Sequence, residues 1–332
     1  MISLLVVNFR SAALAAEAVR TARAASSAPL QVVIVDNSCD PREAEALHFA
    51  DRLIVSKTNR GYAGAINDGR RACDGDTIVI SNPDVLFAPP AIDLLAAALD
   101  RKTAVAGPAL FWDDAHRWHL PPGDLLTARE KLDQVLASRS ATWRAQRDER
   151  RFAKRVAFWS LTQTTPVRML SGAVMAVRAR DFDTLEGFDE RFPLYFEETD
   201  FLRRVTAHRK RIVYVPQAKV RHVYNQSASQ TAEAAAARYA ESEWKYLEKW
   251  NGPWLARTMK RFEKSGGQAI LPVPLHPQDR QDCLSSTVIT EASPLPTFDT
   301  AAGYLGYAED VPAEVKASLN GAPIYLRYKI RP

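Results

Sequence analysis

Asn82-Pro83-Asp84 closes the apolar run Thr77–Ser81 and sets a carboxylate where a buried strand opens into a loop. In open α/β sheets the crevice beyond the carboxyl ends of the strands is the usual ligand-binding edge, and the proline stiffens the turn that aims Asp84 into it. A carboxylate and an amide flanking one proline suit a hard cation such as Mg²⁺ or Mn²⁺, which takes oxygen ligands and commonly bridges to phosphates. The same residue types also make an ordinary strand-ending turn. A second concentration of acid, Glu197, Glu198 and Asp200, stands where a loop enters a helix expected over Glu198–Ala207. Such acids can cap a helix, or one of them can act as a general base whose pKa is raised by its neighbours and lowered by the helix dipole.

Other residue types extend the chemistry. Asn59-Arg60-Gly61 leads into a helix expected over Tyr62–Ala72, where N-terminal N–H groups and the small residues Gly61, Ala63 and Gly64 permit close approach of a nucleotide or phosphate. A glycine turn opening a helix is the simpler reading of those residues. Gly172 lies near the start of a strand expected over Leu170–Val177, and a strand glycine lets a ligand or another backbone pass closely. Trp112 and Trp118, around Asp113, Asp114, His116 and His119, form a second cluster, whose rings can stack on the flat face of a ligand and whose acids and histidines could instead hold a metal. His222, taken alone, reads as an ordinary polar residue.

The elements that position these residues follow from periodicity. Ile2–Val7, Val32–Asp36, Leu53–Ser56 and Thr77–Ser81 read as strands, and Ala12–Ala25, Pro41–Ala50, Tyr62–Ala72 and Pro89–Leu99 as helices. That alternation predicts βαβ units and a mostly parallel sheet with helices on both faces. Ile212–Val215 and Lys219–Val223 read as a further strand pair, and Ala232–Trp250 as a helix. No glycine-rich turn follows the first strand, where the chain reads Asn8-Phe-Arg-Ser-Ala. Gly64–Gly69 has P-loop spacing but continues Arg70-Arg71, so dehydrogenase and P-loop readings both weaken.

The chain has 332 residues, 46% hydrophobic and 25% charged, enough to bury a full core. No apolar stretch approaches the roughly 18 residues of a membrane span, no basic leader precedes the first strand, and Cys39, Cys73 and Cys283 share no close spacing. These features predict a soluble, cytoplasmic protein with reduced thiols. Residues 125–160 hold nine basic against four acidic residues, an excess equal to the whole net charge of +5. Without proline or glycine, that segment is expected to be a helical insertion with a solvated charged face, or a dock for a polyanion or anionic membrane. No zinc-finger or RNP-like signature supports nucleic acid.

The order of the motifs is more specific than any one of them. Val33-Ile-Val-Asp-Asn-Ser38, Asn59-Arg-Gly-Tyr-Ala-Gly-Ala-Ile-Asn67, Asn82-Pro-Asp84, Leu170-Ser-Gly-Ala173, and Gly187-Phe-Asp-Glu190 running into Phe196-Glu-Glu-Thr-Asp-Phe201 resemble the inverting family 2 glycosyltransferases of the GT-A fold, in particular their rhamnosyltransferase-like branch. The resemblance covers about residues 1–225. It implies a nucleotide-diphospho-sugar transferase fold, with Asn8, Asp36, Asn59, Arg60, Gly61, Asn82 and Gly172 on the donor side. Asp36 would read the imide N–H of a uracil or thymine. Asp84 resembles the metal carboxylate of the family's Asp-x-Asp motif, with Asn82 in place of the first acid, and His222 becomes a metal or diphosphate contact. Glu198 takes the place of the family's base, with Asp200 as second choice and Glu197 on the acceptor side, where Trp112 and Trp118 are read as rings for a sugar to stack on.

The expected protein is thus an inverting transferase with a GT-A domain over residues 1–230, helices over 231–265 beside a membrane surface, and a Pro-rich extension over 266–332 of unassigned role. Its partners would be a UDP- or dTDP-sugar, rhamnose among them, and a saccharide or lipid-linked glycan acceptor in cell-surface polysaccharide synthesis, with Mg²⁺ or Mn²⁺ as cofactor. Peripheral contact with the inner face of the plasma membrane and a homodimer are both allowed. A nucleotidyltransferase and a non-catalytic sugar- or polyanion-binding protein are the alternatives.

Overall fold

The computed structural model describes residues 1–192, 194–223, 232–264, 288–295, 297–319 and 321–332. Its elements run β1 (Ile2–Asn8), α1 (Ala12–Ala24), β2 (Leu30–Asp36), α2 (Pro41–Ala46), β3 (Arg52–Val55), α3 (Gly61–Arg70), β4 (Thr77–Ser81), β5 (Val85–Phe87), α4 (Ala91–Ala97), β6 (Thr103–Phe111) and β7 (Trp118–His119). There follow α5 (Ala128–Ala137), α6 (Ala141–Trp159), β8 (Thr165–Val167), β9 (Val174–Arg178), α7 (Ala179–Thr184), α8 (Glu197–Ala207), β10 (Arg211–His222), α9 (Ala232–Asn251), α10 (Pro253–Lys264), β11 (Val288–Ser293), β12 (Ala302–Tyr304), α11 (Ala313–Ser318) and β13 (Tyr325–Ile330). They gather into two compact units. The first comprises Met1–Leu110, Gly123–Leu125 and Thr162–Tyr246, and the second Phe111–Pro122, Leu126–Leu161 and Leu247–Pro332.

In the first unit β1 is central because it is apolar on both faces, as a strand covered from two sides must be. It pairs in parallel with β2 and β4, and β3 adds in parallel outside β2. Alternation then assigns the faces. Leu4, Val6, Val32 and Ile34 meet the alanine stripe of α1 and Ile92 and Leu95 of α4. Leu5 and Val35 face α3, where Gly69 permits close approach: a Cβ there would stand 2.3 Å from Leu5 Cδ1 and 2.8 Å from Val35 Cγ2. Beyond β4 the sheet is antiparallel, through β9 to β6, so the parallel run expected from the sequence is β3-β2-β1-β4. β10 is one strand where two were expected. It pairs through Ile212–Tyr214 with β8 and through Val220–His222 with β5, both antiparallel, and Pro216 falls between those two ladders.

The second unit carries the antiparallel order β13-β11-β12-β7, with Phe152, Val156 and Trp159 of α6 packed on Ile289 of β11. Gly303 is small for a reason, since a Cβ would lie 2.1 Å from the Trp159 ring. These units cut the chain elsewhere than the expected boundary at 230/231. The basic segment folds with C-terminal residues because the acids that neutralise it lie there. Arg155 reaches Glu291 at 2.5 Å and Arg144 reaches Asp299 at 3.3 Å, while Arg147 meets Glu130 at 2.9 Å and Asp299 at 3.4 Å. Arg147 and Arg155 are buried in an internal ion network, while Arg129, Arg150 and Lys154 keep the solvated charged face expected for this segment. Cys39 and Cys73 are free thiols. Cys283 and much of the Pro-rich extension lie outside the described residues.

Candidate active site

The ends of β1 and β2 are tied together before any ligand arrives. Asn8 stands opposite Asp36 in the parallel register. Its Nδ2 donates to Asp36 Oδ1 at 3.0 Å and to Glu43 Oε2 at 3.0 Å, while its Oδ1 accepts from Ser11 N and Oγ at 3.2 and 3.0 Å. Asn8 is therefore a brace for the loops following both strands. Asp36 is fully buried; its Oδ1 also accepts from Ser38 N at 3.1 Å, and its Oδ2 accepts no hydrogen bond. A buried acceptor left open in this way suits an incoming N–H donor.

Asn37, one residue on, was not singled out in the sequence, yet it organises the next turn. Its Nδ2 donates to Asn59 Oδ1 at 2.9 Å and to Gly61 O at 3.1 Å, and its Oδ1 accepts from Arg60 N at 2.9 Å. Asn59 Oδ1 in turn accepts from Gly61 N at 2.8 Å. Gly61 has φ +70°, the left-handed region that favours glycine. The Arg60 side chain turns to Glu190 at 3.1 Å and Asp68 at 3.4 Å, so its guanidinium is held by protein acids. Gly187 likewise has φ +65°, and a Cβ there would meet Asn67 Oδ1 at 2.4 Å; Asn67 clasps this loop through Phe188 N and O at 2.9 and 2.8 Å.

Asp84 and His222, 138 positions apart in the chain, are joined by the β5–β10 ladder, in which His222 pairs with Val85. Val223 N donates to Asp84 O at 2.8 Å, and His222 Nε2 comes to 3.3 Å from Asp84 Oδ1. That oxygen is buried and accepts no hydrogen bond. One carboxylate oxygen and one imidazole nitrogen fit a divalent cation whose remaining positions are filled by water or phosphate oxygens. Among the described residues, no group of three or more His, Cys, Asp or Glu surrounds such an ion. Asn82 contributes through its backbone, N–H to Ala173 O at 2.8 Å, and lines the cavity described below.

The acid run opens α8 after two consecutive left-handed residues, Tyr195 at φ +68° and Phe196 at φ +70°. Non-glycine residues held there cost roughly 1–3 kcal/mol each, and such strain concentrates at functional sites. Glu197 is buried, its Oε2 accepts no hydrogen bond, and burial together with the Glu198 charge pushes its pKa well above the ordinary carboxylate range. Glu198 is half-buried, and loss of water raises its pKa too, against the backbone N–H groups of Glu198 and Thr199 that favour the anion. Gly172 sits against this residue: a Cβ there would be 3.1 Å from Glu198 Cγ. Asp200 is fully buried and paired with Arg204 at 2.8 Å, whose other nitrogens donate to the carbonyls of Leu185 and Gly187. These contacts tie α8 to the Gly187 loop.

A cavity of about 480 Å³ collects much of this. Val7, Phe9, Asn37, Asn59, Gly61 and Tyr62 line one side, Asn82 and Pro83 another, and Leu194 with Arg238 and Glu241 of α9 a third. Asp36 and Asp84 each adjoin a lining residue in the chain. Phe9, Asn37, Tyr62, Arg238 and Glu241 were missed from the sequence; the positions of Asn37 inside the Val33–Ser38 motif and of Tyr62 inside the Asn59–Asn67 motif offered a signal. Trp112 and Trp118 correct an expectation. Both are 2% exposed within the second unit, and Trp118 packs against Tyr304 at 5.6 Å between ring centres, so neither offers a face for a sugar to stack on.

A family model described as glycosyltransferase-like family 2 matches residues 1–241. The N-acetylglucosaminyl-diphospho-decaprenol L-rhamnosyltransferase of Mycobacterium tuberculosis is 29% identical over 252 residues, covering 70% of this chain and 79% of that protein. Among solved structures, GalNAc-T7 with UDP, GalNAc and Mn²⁺ aligns at TM-score 0.52 and 13% identity over 80% of this chain and 54% of its own. A Pyrobaculum calidifontis mannosyltransferase in complex with GDP-Man and Mn²⁺ aligns at TM-score 0.45 and 16% identity over 80% and 76%.

Proposed function

Because the chain belongs to the glycosyltransferase-like family 2, we propose that it moves a hexosyl group, rhamnose first among the candidates, from a dTDP or UDP donor to a hydroxyl of a saccharide or lipid-linked glycan, with inversion, in cell-surface polysaccharide synthesis. The observation that carries this reading is that the Asn37–Asn59–Gly61 turn, which follows Asp36, and the Asn82-Pro83 turn, which leads to Asp84 beside His222, line one cavity of the first unit, the unit that also carries the Glu197–Glu198 pair. The rhamnosyltransferase named above, whose stated acceptor is diphospho-decaprenol-linked, supports the sugar and acceptor class.

In this reading Asp36 Oδ2 accepts the N–H of a pyrimidine base, and the Asn37-braced turn brings the backbone of Gly61 close to the nucleoside. Asp84 and His222 would hold Mg²⁺ or Mn²⁺, which as a Lewis acid supplies stabilisation of the departing diphosphate charge. Glu198 takes the proton of the acceptor hydroxyl as that oxygen bonds to the anomeric carbon. The bond from that carbon to the phosphate oxygen breaks on the opposite face, and inversion follows. A carboxylate with a raised pKa is the stronger base, and its activity is lost as pH falls through that pKa, higher than for an ordinary glutamate.

The amphipathic α10 supports membrane proximity for a lipid-linked acceptor. Trp254 is 77% exposed and Arg257, Lys260 and Arg261 are exposed beside it, a pairing suited to an anionic interface. No helix among the described residues is long and apolar enough to cross a membrane. Co-sedimentation with anionic vesicles that survives Trp254→Ala unchanged would contradict that contact. For the reaction itself, the test is release of nucleoside diphosphate from a panel of nucleotide sugars with a lipid-diphosphate saccharide present or absent. Acceptor-dependent release from dTDP- or UDP-sugars is expected, and release of pyrophosphate instead would overturn the assignment.

A further inference from the structure

One side chain of α3 holds the loop that leads to the acids of α8, and it has no part in the transfer step itself. Asn67 is the seventh of the ten residues of α3, inside a helix, where asparagine is disfavoured because its side chain competes for backbone groups. Here that side chain bonds to a distant segment. Its Oδ1 accepts from Phe188 N at 2.9 Å, and its Nδ2 donates to Phe188 O at 2.8 Å and to Glu190 Oε1 at 3.2 Å. Glu190 Oε2 accepts from Arg60 Nη2 at 3.1 Å, which brings the loop back to the turn that opens α3. Gly187 permits the approach, since a Cβ there would stand 2.4 Å from Asn67 Oδ1.

The same loop is fastened to α8. Gly187 O accepts from Arg204 Nη2 at 2.7 Å, and Arg204 Nε donates to the buried Asp200 at 2.8 Å, both residues of the helix that Glu197 and Glu198 open. Between these polar clasps the Phe188 ring, itself 2% exposed, lies 6.5 Å from Tyr62 of α3 and 5.4 Å from Phe201 of α8, centre to centre. Residues 187–190 therefore form a strut with one end on each helix. The Asn59–Gly61 turn stands at the start of the first helix and Glu198 at the start of the second. Asn37 and Asn59 hold that turn by bonds of their own, in which the strut takes no part.

We propose that Asn67 is a positioning residue: by pinning residues 187–190 to α3 it sets the Glu198 carboxylate in register with a donor bound at the Asn59–Gly61 turn. The inference rests on the reading of Glu198 as base. Its loss should spare donor binding and impair transfer, whereas loss of a purely structural clasp would lower both along with the folded fraction.

The test is Asn67→Asp in the full chain, which keeps the shape and the acceptor for Phe188 N and removes the donor to Phe188 O and Glu190. The expected result is a transfer kcat about 10–100-fold lower, the scale on which a reacting group displaced by an ångström loses rate, with the affinity for uridine or thymidine diphosphate unchanged in calorimetry. Adding Glu190→Gln gives position 190 an amide that donates to the carboxylate at position 67, and the double variant should recover part of the lost kcat. Glu190→Ala, at a half-exposed position, is the variant to read if Asn67→Asp does not fold, and it should show the same split at smaller size. Weakened nucleotide binding with kcat unchanged would make Asn67 part of the donor site and overturn the proposal. A fall in kcat that only follows thermal unfolding, with no recovery in the double variant, would overturn it as well. Glu198→Gln is run in parallel. If it is inactive while Asn67→Asp is normal, the inference fails alone; if Glu198→Gln turns over normally, the base assignment fails and the inference falls with it.

Discussion

In the second unit Glu291 is fully buried and both its oxygens are taken, Oε1 by Arg155 at 2.5 Å and Oε2 by Arg327 at 2.7 Å. In the first unit Glu197 is nearly as buried, yet its Oε2 meets no donor and its neighbour is another glutamate. The same side chain pays the desolvation cost in both places and recovers it in only one. Asp36 Oδ2 repeats the pattern of the first unit, Asp84 Oδ1 has only the His222 imidazole at 3.3 Å, and Arg144, Arg147 and Arg155 are ion-paired with acids in the second. Paired buried charge holds a fold together, whereas unpaired buried charge is retained where a ligand or a proton transfer uses it.

The contrast can be broken by matched substitutions. Glu291→Gln leaves Arg155 and Arg327 buried with too little negative charge, and breaking a buried pair costs about 3–5 kcal/mol. Denaturant unfolding should show that loss, and a change below 1 kcal/mol would mean that the network is dispensable. Asp36→Ala should weaken binding of uridine or thymidine diphosphate by about 1.5–3 kcal/mol, the value of one charge-assisted hydrogen bond, and should also lower stability by removing the acceptor of Asn8 Nδ2 and Ser38 N. Calorimetry that finds equal affinity for guanosine and uridine diphosphates would remove the base-reading role. Glu197→Gln should have the smallest effect and the opposite sign from Glu291→Gln. A carboxyl whose folded pKa is raised gives most stability below the unfolded value of about 4.3 and loses it as pH rises through the folded one. The amide should therefore melt higher than the parent at pH 7, with the gap closing toward pH 4; a lower melting temperature at pH 7 would show that Glu197 has a partner in solution.

Where the sequence was legible, the reason is local. β1, β2 and β4 are apolar runs flanked by helix-period segments, and Gly61 announces its own left-handed turn. Asp84 and His222 could be named separately from their surroundings and the resemblance, but their 3.3 Å approach depends on the β5–β10 ladder, which no local pattern announces. The burial of Arg147 and Arg155 was missed for the same reason: the helix and its exposed face were visible, while the acids that hold its arginines lie as far away as Glu291 and Asp299. Trp112 and Trp118 were misread because a tryptophan near acids and histidines looks alike in a sugar platform and in a core.

The claim at the centre is that the open carboxylates of the first unit are there for glycosyl transfer. It is tested most directly by acceptor-dependent turnover of Glu198→Gln, read together with its thermal unfolding. Loss of about 10²–10⁴-fold in turnover, with a melting temperature at or above that of the parent at pH 7, is the predicted result. Turnover close to the parent, or a fall that merely follows a lowered melting temperature, would place Glu198 with the structural charges of the second unit and contradict the account.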